Sequence, residues 1–296
     1  ERIYFVEGLS DVKSIPKAGG AATAVGKAGI TIWEPHMLQD NGSLYLTDGS
    51  DVIKLEIATG DSAVLASSQA QFANGIDPGL ALDEENVYFA DQVDDDDGTP
   101  LGTINRVPKA GGDVTILAEG QAAPGSLTRD DAHLYWVNNG TATRSLEALH
   151  NGGLGSIALS GGSAQALFSV SADGKGVSPF GDLVLSGSDL YFTSMNLDDF
   201  ESSGLYKLPK AGGTPMPFSS YSAQSGFVLN GYLYIDNGDR IAKIELSTGN
   251  RTDLVCFESG YGSISMVHDD KTIYYEKMDP ENAGDPAGSI HSIPME

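Results

Sequence analysis

The side chains able to move a proton near neutral pH are five histidines, His36, His133, His150, His268 and His291. His36 opens a strand-like segment, and His150 lies near Arg144 and Glu147 in a long polar stretch, so these two are the ones that could share a pocket. A histidine base beside an arginine that holds a carboxylate would suit a lyase step on an acidic sugar. The bland reading makes His150 a solvated loop residue, and His133, His268 and His291 read as structural or solvated. Gly-x-Ser-x-Gly, His-Glu-x-x-His, Walker A, Gly-x-Gly-x-x-Gly and Cys-x-x-Cys are all absent. That speaks against the common hydrolase, NTPase, dehydrogenase and zinc classes, and the reading leans away from an enzyme.

Carboxylates cluster in the polar stretches. Asp91 with Asp94-Asp95-Asp96-Asp97, Asp198-Asp199 with Glu201, and Asp279, Glu281 and Asp285 each crowd negative charge. Ca²⁺ relieves such crowding by taking oxygen ligands, so Asp91, Asp94 and Asp96 are the metal-ligating candidates. Val93 stands where an Asp-x-Asp-x-Asp-Gly loop would have its first ligand, which keeps a plain solvated acidic stretch open as the alternative. Aromatics form a third set: Trp33, Phe72, Phe180, Tyr221 with Phe227, and Tyr261 fall between strand-like segments. Flat apolar faces with polar edges suit sugar rings, and equally suit plugging gaps between packed sheets.

The elements that must position these residues repeat. An aliphatic residue, a tyrosine and two further residues recur as Ile3-Tyr4-Phe5-Val6, Leu44-Tyr45-Leu46-Thr47, Val87-Tyr88-Phe89-Ala90, Leu134-Tyr135-Trp136-Val137, Leu190-Tyr191-Phe192-Thr193, Leu233-Tyr234-Ile235-Asp236 and Ile273-Tyr274-Tyr275-Glu276. Pro16-Lys17-Ala18-Gly19-Gly20 returns at Pro108 to Gly112 and at Pro209 to Gly213. A period of about 42 residues marks a repeat architecture. Each unit reads as four antiparallel strands, a to d, with strand b apolar on both sides and therefore covered on both faces. Only the stretch from Ser145 to His150 could make a turn of helix. The fold class is all-β, and a radial array of such sheets is a β-propeller in one domain, 1–296. Seven blades are favoured. The first unit lacks strand a and the last lacks strand d, so six blades with unusual closure is the alternative.

Leu44-Tyr45-Leu46-Thr47-Asp48 and Val87-Tyr88-Phe89-Ala90-Asp91 resemble the Tyr-Trp-Thr-Asp repeat propellers, and the unit with its Pro-Lys-Ala-Gly-Gly turn is similar to bacterial secreted propellers of the TolB-like and NHL-like kind. The resemblance implies the fold over nearly all of the chain. For function it implies only a range that includes receptors, adaptors, sugar binders, lyases and lactonases.

Alternation of direction within a blade puts the b–c and d–a connections at one end and the a–b and c–d turns at the other. The long polar stretches Gln92 to Leu101, Asn139 to Leu154, Asn196 to Ser203 and Met278 to Ala287 are then b–c loops, and the d–a loops are read as long too, so the working end is expected there. With 17 Lys plus Arg against 41 Asp plus Glu, the formal charge is -24, which excludes electrostatic nucleic-acid or anionic-membrane binding. No apolar run is long enough to span a bilayer. Cys256, within Leu254-Val255-Cys256-Phe257, reads as a core thiol, and Asn41, Asn139 and Asn250 head glycosylation sequons of the kind chance supplies.

The expectation is an extracellular or periplasmic monomer that binds a protein or carbohydrate ligand, with calcium as the one cofactor considered. A lyase or hydrolase acting on a polar substrate is the alternative, and a purely structural repeat the second alternative.

Overall fold

The computed structural model describes the chain except residues 9, 30–35, 48–50, 68–78, 95–99, 143–148, 151, 171–175, 197–202, 258–262, 278–288 and 296, with the backbone alone at 92–94, 100–101, 141–142, 149–150 and 263–264. The described residues are all-β, without a helix. No helix is long and apolar enough to cross a membrane. The chain divides into two compact units, Glu1–Gly174 and Lys175–Glu296.

The described residues of the first unit hold four antiparallel blade sheets in chain order, besides the two-stranded ladder of Thr141–Ala142 with Leu149–His150. The first sheet has strands b, c and d (Arg2–Glu7, Asp11–Pro16, Thr23–Lys27), and the second has a to d (Met37–Asp40, Ser43–Thr47, Asp51–Glu56, Ser62–Ser67). The third is Leu80–Leu82, Asn86–Asp94, Pro100–Pro108 and Thr115–Ala122, and the fourth Pro124–Arg129, His133–Asn138, Gly153–Ala158 and Gln165–Ser169. In the second unit the fifth sheet is Val177–Ser186, Asp189–Asn196, Ser203–Pro209 and Met216–Ser219, and the sixth Ser225–Leu229, Tyr232–Asp236, Arg240–Glu245 and Arg251–Cys256. The seventh has a, b and c only (Ser263–His268, Thr272–Lys277, Ser289–Pro294). The strands read as missing from the first and last repeats are the ones the sheets lack.

One hydrogen bond shows that the seven sheets are copies of a single unit. The residue after strand c donates its N–H to the carbonyl just before strand b: Lys17 to Glu1, Ile57 to Gly42, Lys109 to Glu85, Leu159 to Ala132, Lys210 to Ser188, Leu246 to Gly231 and Met295 to Lys271. Each c–d pairing also carries a bulge, between Val52 and Ile53 or Ile241 and Ala242 for example. A bulge adds local twist, which keeps the outer strand against a twisted sheet. At the c–d turn Gly111 and Gly112 sit at φ 83° and 132°, so only glycine takes both positions without strain.

Strand b explains the packing. Successive side chains point to opposite faces, so Leu44 and Leu46 join Val12 of the first sheet, whereas Tyr45 joins Leu80, Val87 and Phe89 of the third. Ile104 and Tyr88 meet Leu134 and Trp136 in the same way, as Tyr191 and Leu205 meet Leu233 and Ile235 in the second unit. Each fully buried Leu or Ile contributes about 1.5–3 kcal/mol. Within each unit neighbouring sheets therefore supply the cover that a two-sided apolar strand needs.

Three local readings are corrected. Strands b and c of the third sheet run on to Asp94 and back from Pro100, so the stretch read as a loop from Gln92 to Leu101 is a ladder at both its ends, and 95–99 lie outside the described residues. The d–a connection between the third and fourth sheets is the single residue Ala123, at φ 49°, not a long loop. Cys256 is exposed rather than in the core, because it ends the outermost strand of the sixth sheet, across from Arg240. The stretch read as a turn of helix ends in strand, Leu149–His150 pairing with Thr141–Ala142, and 143–148 lie outside the described residues.

Candidate functional site

Of the proton-transfer set, Arg144 and Glu147 lie outside the described residues, and His150 is described in backbone only, opposite Thr141. His36 is fully placed. Its Nδ1 accepts a hydrogen bond from the Leu80 N–H at 3.0 Å, and its carbonyl accepts one from Thr47 N–H at 3.1 Å. An accepting Nδ1 puts the proton of the neutral ring on Nε2, so the nitrogen a base would use ties the second sheet to strand a of the third.

Asp91 and Asp94 both stand on strand b of the third sheet, paired with Thr103 and Pro100. Their odd spacing assigns the two positions to opposite faces of the strand. Asp96 lies outside the described residues. Among the described residues no three His, Cys, Asp or Glu side chains are grouped to hold a metal ion.

Trp33, Phe72 and Tyr261 of the aromatic set also lie outside the described residues. Phe180 and Phe227 are not in connections but in strand a of their sheets. Phe227 stacks on Tyr234 at 5.0 Å and on His268 at 3.7 Å, between the sixth and seventh sheets, which is the gap-plugging role. Tyr221 does occupy a d–a connection, and it gathers groups that were not singled out as site residues. Arg251 Cζ lies 4.3 Å and Arg240 Cζ 5.6 Å from its ring centroid. Asp253 ties the two guanidinium groups: Arg251 Nε lies 2.9 Å from Oδ1 in an ion pair, and Arg240 Nη1 donates to Oδ2 at 3.1 Å. The bond to Asp253 holds the Arg240 guanidinium above its usual range, with Tyr221 adding to it. Burial pushes the Tyr221 hydroxyl up although both arginines oppose the shift. Asn237 lies near that hydroxyl, but outside hydrogen-bonding geometry. A signal was present in the sequence, since Arg251 and Asp253 are two apart on a strand and so share a face, but the stretch was read only as a sequon.

A cleft of about 310 Å³ opens in the first unit at the a–b turns of the second to fourth sheets, lined by Asp40, Asp83, Glu84 and Arg129. Three of these charges are engaged from within: Asp40 accepts from Lys109, which lies 5.4 Å from the Tyr45 ring centroid, Asp83 from Tyr88, and Arg129 donates to the Leu82 carbonyl. A void of about 10 Å³ beside Asp182, Thr193 and Ser225 is water-sized.

No protein-family model matches the chain, and no curated protein matches it in sequence. Solved structures do resemble it. A chain of the nidogen/laminin complex aligns at 15% identity and TM-score 0.58 over 87% of this chain and 93% of that one. Oligogalacturonate lyase in complex with manganese aligns at 13% and 0.64, over 96% and 82%. The β-propeller domain of the Trilobed protease from Pyrococcus furiosus, which has an open velcro topology, aligns at 9% and 0.63, over 100% and 93%. Likeness at such identity speaks for the fold, and the fold it shows is an all-β propeller of antiparallel blades, seven of them here.

Proposed function

We propose that this chain is a binding module of secreted or periplasmic type that captures a protein or carbohydrate ligand at the b–c and d–a end of its blades. The observation that carries the reading is the asymmetry of connections. Every a–b turn is two or three residues long, from 41–42 to 269–271, and the c–d turns at the same end stay at five or six, as in 57–61 and 109–114, whereas the b–c spans, three residues in the first, second and sixth sheets, reach 139–152 and 278–288. Closing a hairpin needs only the short kind, so the surplus chain at the b–c end of the fourth and seventh sheets is what a binding surface is built from. Tyr221 enters the sixth sheet from that end, and the resemblance to a chain in a complex between two proteins is in keeping with capture. Calcium bound by Asp91, Asp94 and Asp96 is part of the same proposal, as a stiffener of that end. The bond from Leu80 N–H to His36 Nδ1 supports the binding reading over the lyase or hydrolase one, which keeps His150 as its other candidate base.

The test replaces 95–99 and 143–148 by two-residue turns, singly and together, and reads binding to a glycan array and to an extracellular-matrix protein panel. The parent is expected to bind a member of one set and the double variant to lose it by tenfold or more with an unchanged far-UV spectrum. Equal binding by parent and double variant would overturn the reading.

A further inference from the structure

The geometry points to an oxyanion site on the flank of the sixth sheet, formed by Arg240 and Arg251 over Tyr221, that takes a carboxylate- or phosphate-bearing small molecule. Its test is separate from that of the loop-end reading above, because its residues stand on strands c and d and in the d–a connection 220–224, which the replacements of 95–99 and 143–148 leave in place.

Two guanidinium groups share one carboxylate there. Besides the bonds already given, Arg251 Nη2 lies 3.4 Å from Asp253 Oδ2, so Asp253 faces the Nε edge of Arg251 and the Nη1 corner of Arg240. Two positive charges against one negative leave the cluster cationic in a chain whose formal charge is -24. A surface ion pair needs one cation, and the second is what an anion would use. Fixed orientation is the further requirement. Tyr221 lies against both planar groups and Asp253 holds their inner edges, which removes the rotamer freedom that makes an exposed arginine a poor anion trap. Of their N–H groups, Arg240 Nη2 and Arg251 Nη1 make no hydrogen bond among the described residues, and Arg240 Nε is buried without a partner. The two side chains are 34% and 36% exposed, so solvent-borne ligand reaches the outer corners. Paired N–H donors on planar forks match the two-oxygen edge of a carboxylate or phosphate.

The experiment titrates the intact protein with sodium phosphate and, separately, sodium acetate, each against sodium chloride at equal ionic strength, and follows the side-chain Nε–H resonances of Arg240 and Arg251 together with Tm. A saturable shift of the Arg251 resonance, with a Tm that climbs along the same curve, is expected for at least one anion, and the stronger arm separates phosphate from carboxylate. Arg251→Gln should weaken that binding by about tenfold or more, and Arg251→Lys, which keeps the charge and loses the fork, by an intermediate factor. Should Arg251→Gln fail to fold, the lysine variant carries the comparison. A cluster that only clamps Tyr221 would give no shift beyond chloride, or equal affinity in parent and both variants, and either result overturns the site.

Discussion

The hydroxyl of Tyr88 donates to Asp83 Oδ2 at 2.6 Å, and Asp83 Oδ1 accepts the N–H groups of Glu85 and Asn86, so one carboxylate closes the a–b turn and anchors strand b. The same pair recurs as Tyr135 with Asp130 at 3.0 Å and Tyr274 with Asp269 at 3.1 Å. The tyrosines were legible as the mark of the repeat. Their partner five residues earlier was not, because an aspartate at a turn needs no tyrosine to explain it. Burial, and then Asp83, push the Tyr88 hydroxyl up to about 12. Burial alone would raise the Asp83 carboxyl, yet the Tyr88, Asn86 and Glu85 donors outweigh it and hold it below 3.8. Both shifts set the sign of a pH effect. A raised tyrosine contributes stability that is whole below pH 10 and is lost as pH climbs towards 12. A lowered aspartate contributes stability that is whole above its ordinary range and is lost as pH falls below about 3.8. Tyr88→Phe should cost about 1–2 kcal/mol at pH 7 and flatten the alkaline limb of the Tm profile, and Asp83→Asn should flatten the acid limb. Urea midpoints between pH 2 and 12 decide it, and a Tyr88→Phe profile parallel to the parent's would show that the hydroxyl bond adds nothing.

At the scale of elements, the tyrosine strands, the double-glycine turns and the incomplete first and last sheets could all be read from the chain, because each leaves a periodic or conformational mark. The extended ladder of Asn86–Asp94 with Pro100–Pro108 could not, since its acidic residues carry no strand signal. Ala123 escaped for a related reason: nothing in an alanine announces a left-handed backbone. Cys256 misled because its apolar neighbours suggested a core, whereas an outermost strand is covered on fewer sides. The placement of Tyr221 in a connection was legible, but not its arginines, which approach through register across the sixth sheet. One further contact is set by register alone. Gly155 stands opposite Trp136, which is fully buried and donates from Nε1 to Gln121 and Asn138, and a Cβ at Gly155 would lie 2.3 Å from the indole. Gly155→Ala should therefore displace the ring and cost about 1–3 kcal/mol. Chemical denaturation measures the loss, and near-UV circular dichroism reports whether the indole moved. A variant as stable as the parent would mean that the two strands part at no cost.

Taken as a whole molecule, the chain sets 41 acidic against 17 basic residues, and its acidic stretches fall among the spans between strands b and c. Such an excess destabilises the compact state by self-repulsion, which mobile ions screen over a Debye length of about 10 Å at 0.1 M. Raising sodium chloride from about 0.02 to 0.5 M should lift Tm, by roughly 2–4 °C for each ~1 kcal/mol of repulsion removed. Screening depends on ionic strength alone, whereas a bound ion stabilises by its own concentration against its dissociation constant. Calcium chloride matched in ionic strength to sodium chloride separates the two. If Asp91, Asp94 and Asp96 hold calcium, Tm rises further, saturates at millimolar calcium, falls back with chelator, and loses the extra gain when these three are replaced by asparagine. If the calcium and sodium curves coincide, the carboxylates act as a diffuse charged surface and the calcium part of the proposed function fails, while capture by the b–c and d–a end still stands or falls on the loop replacements.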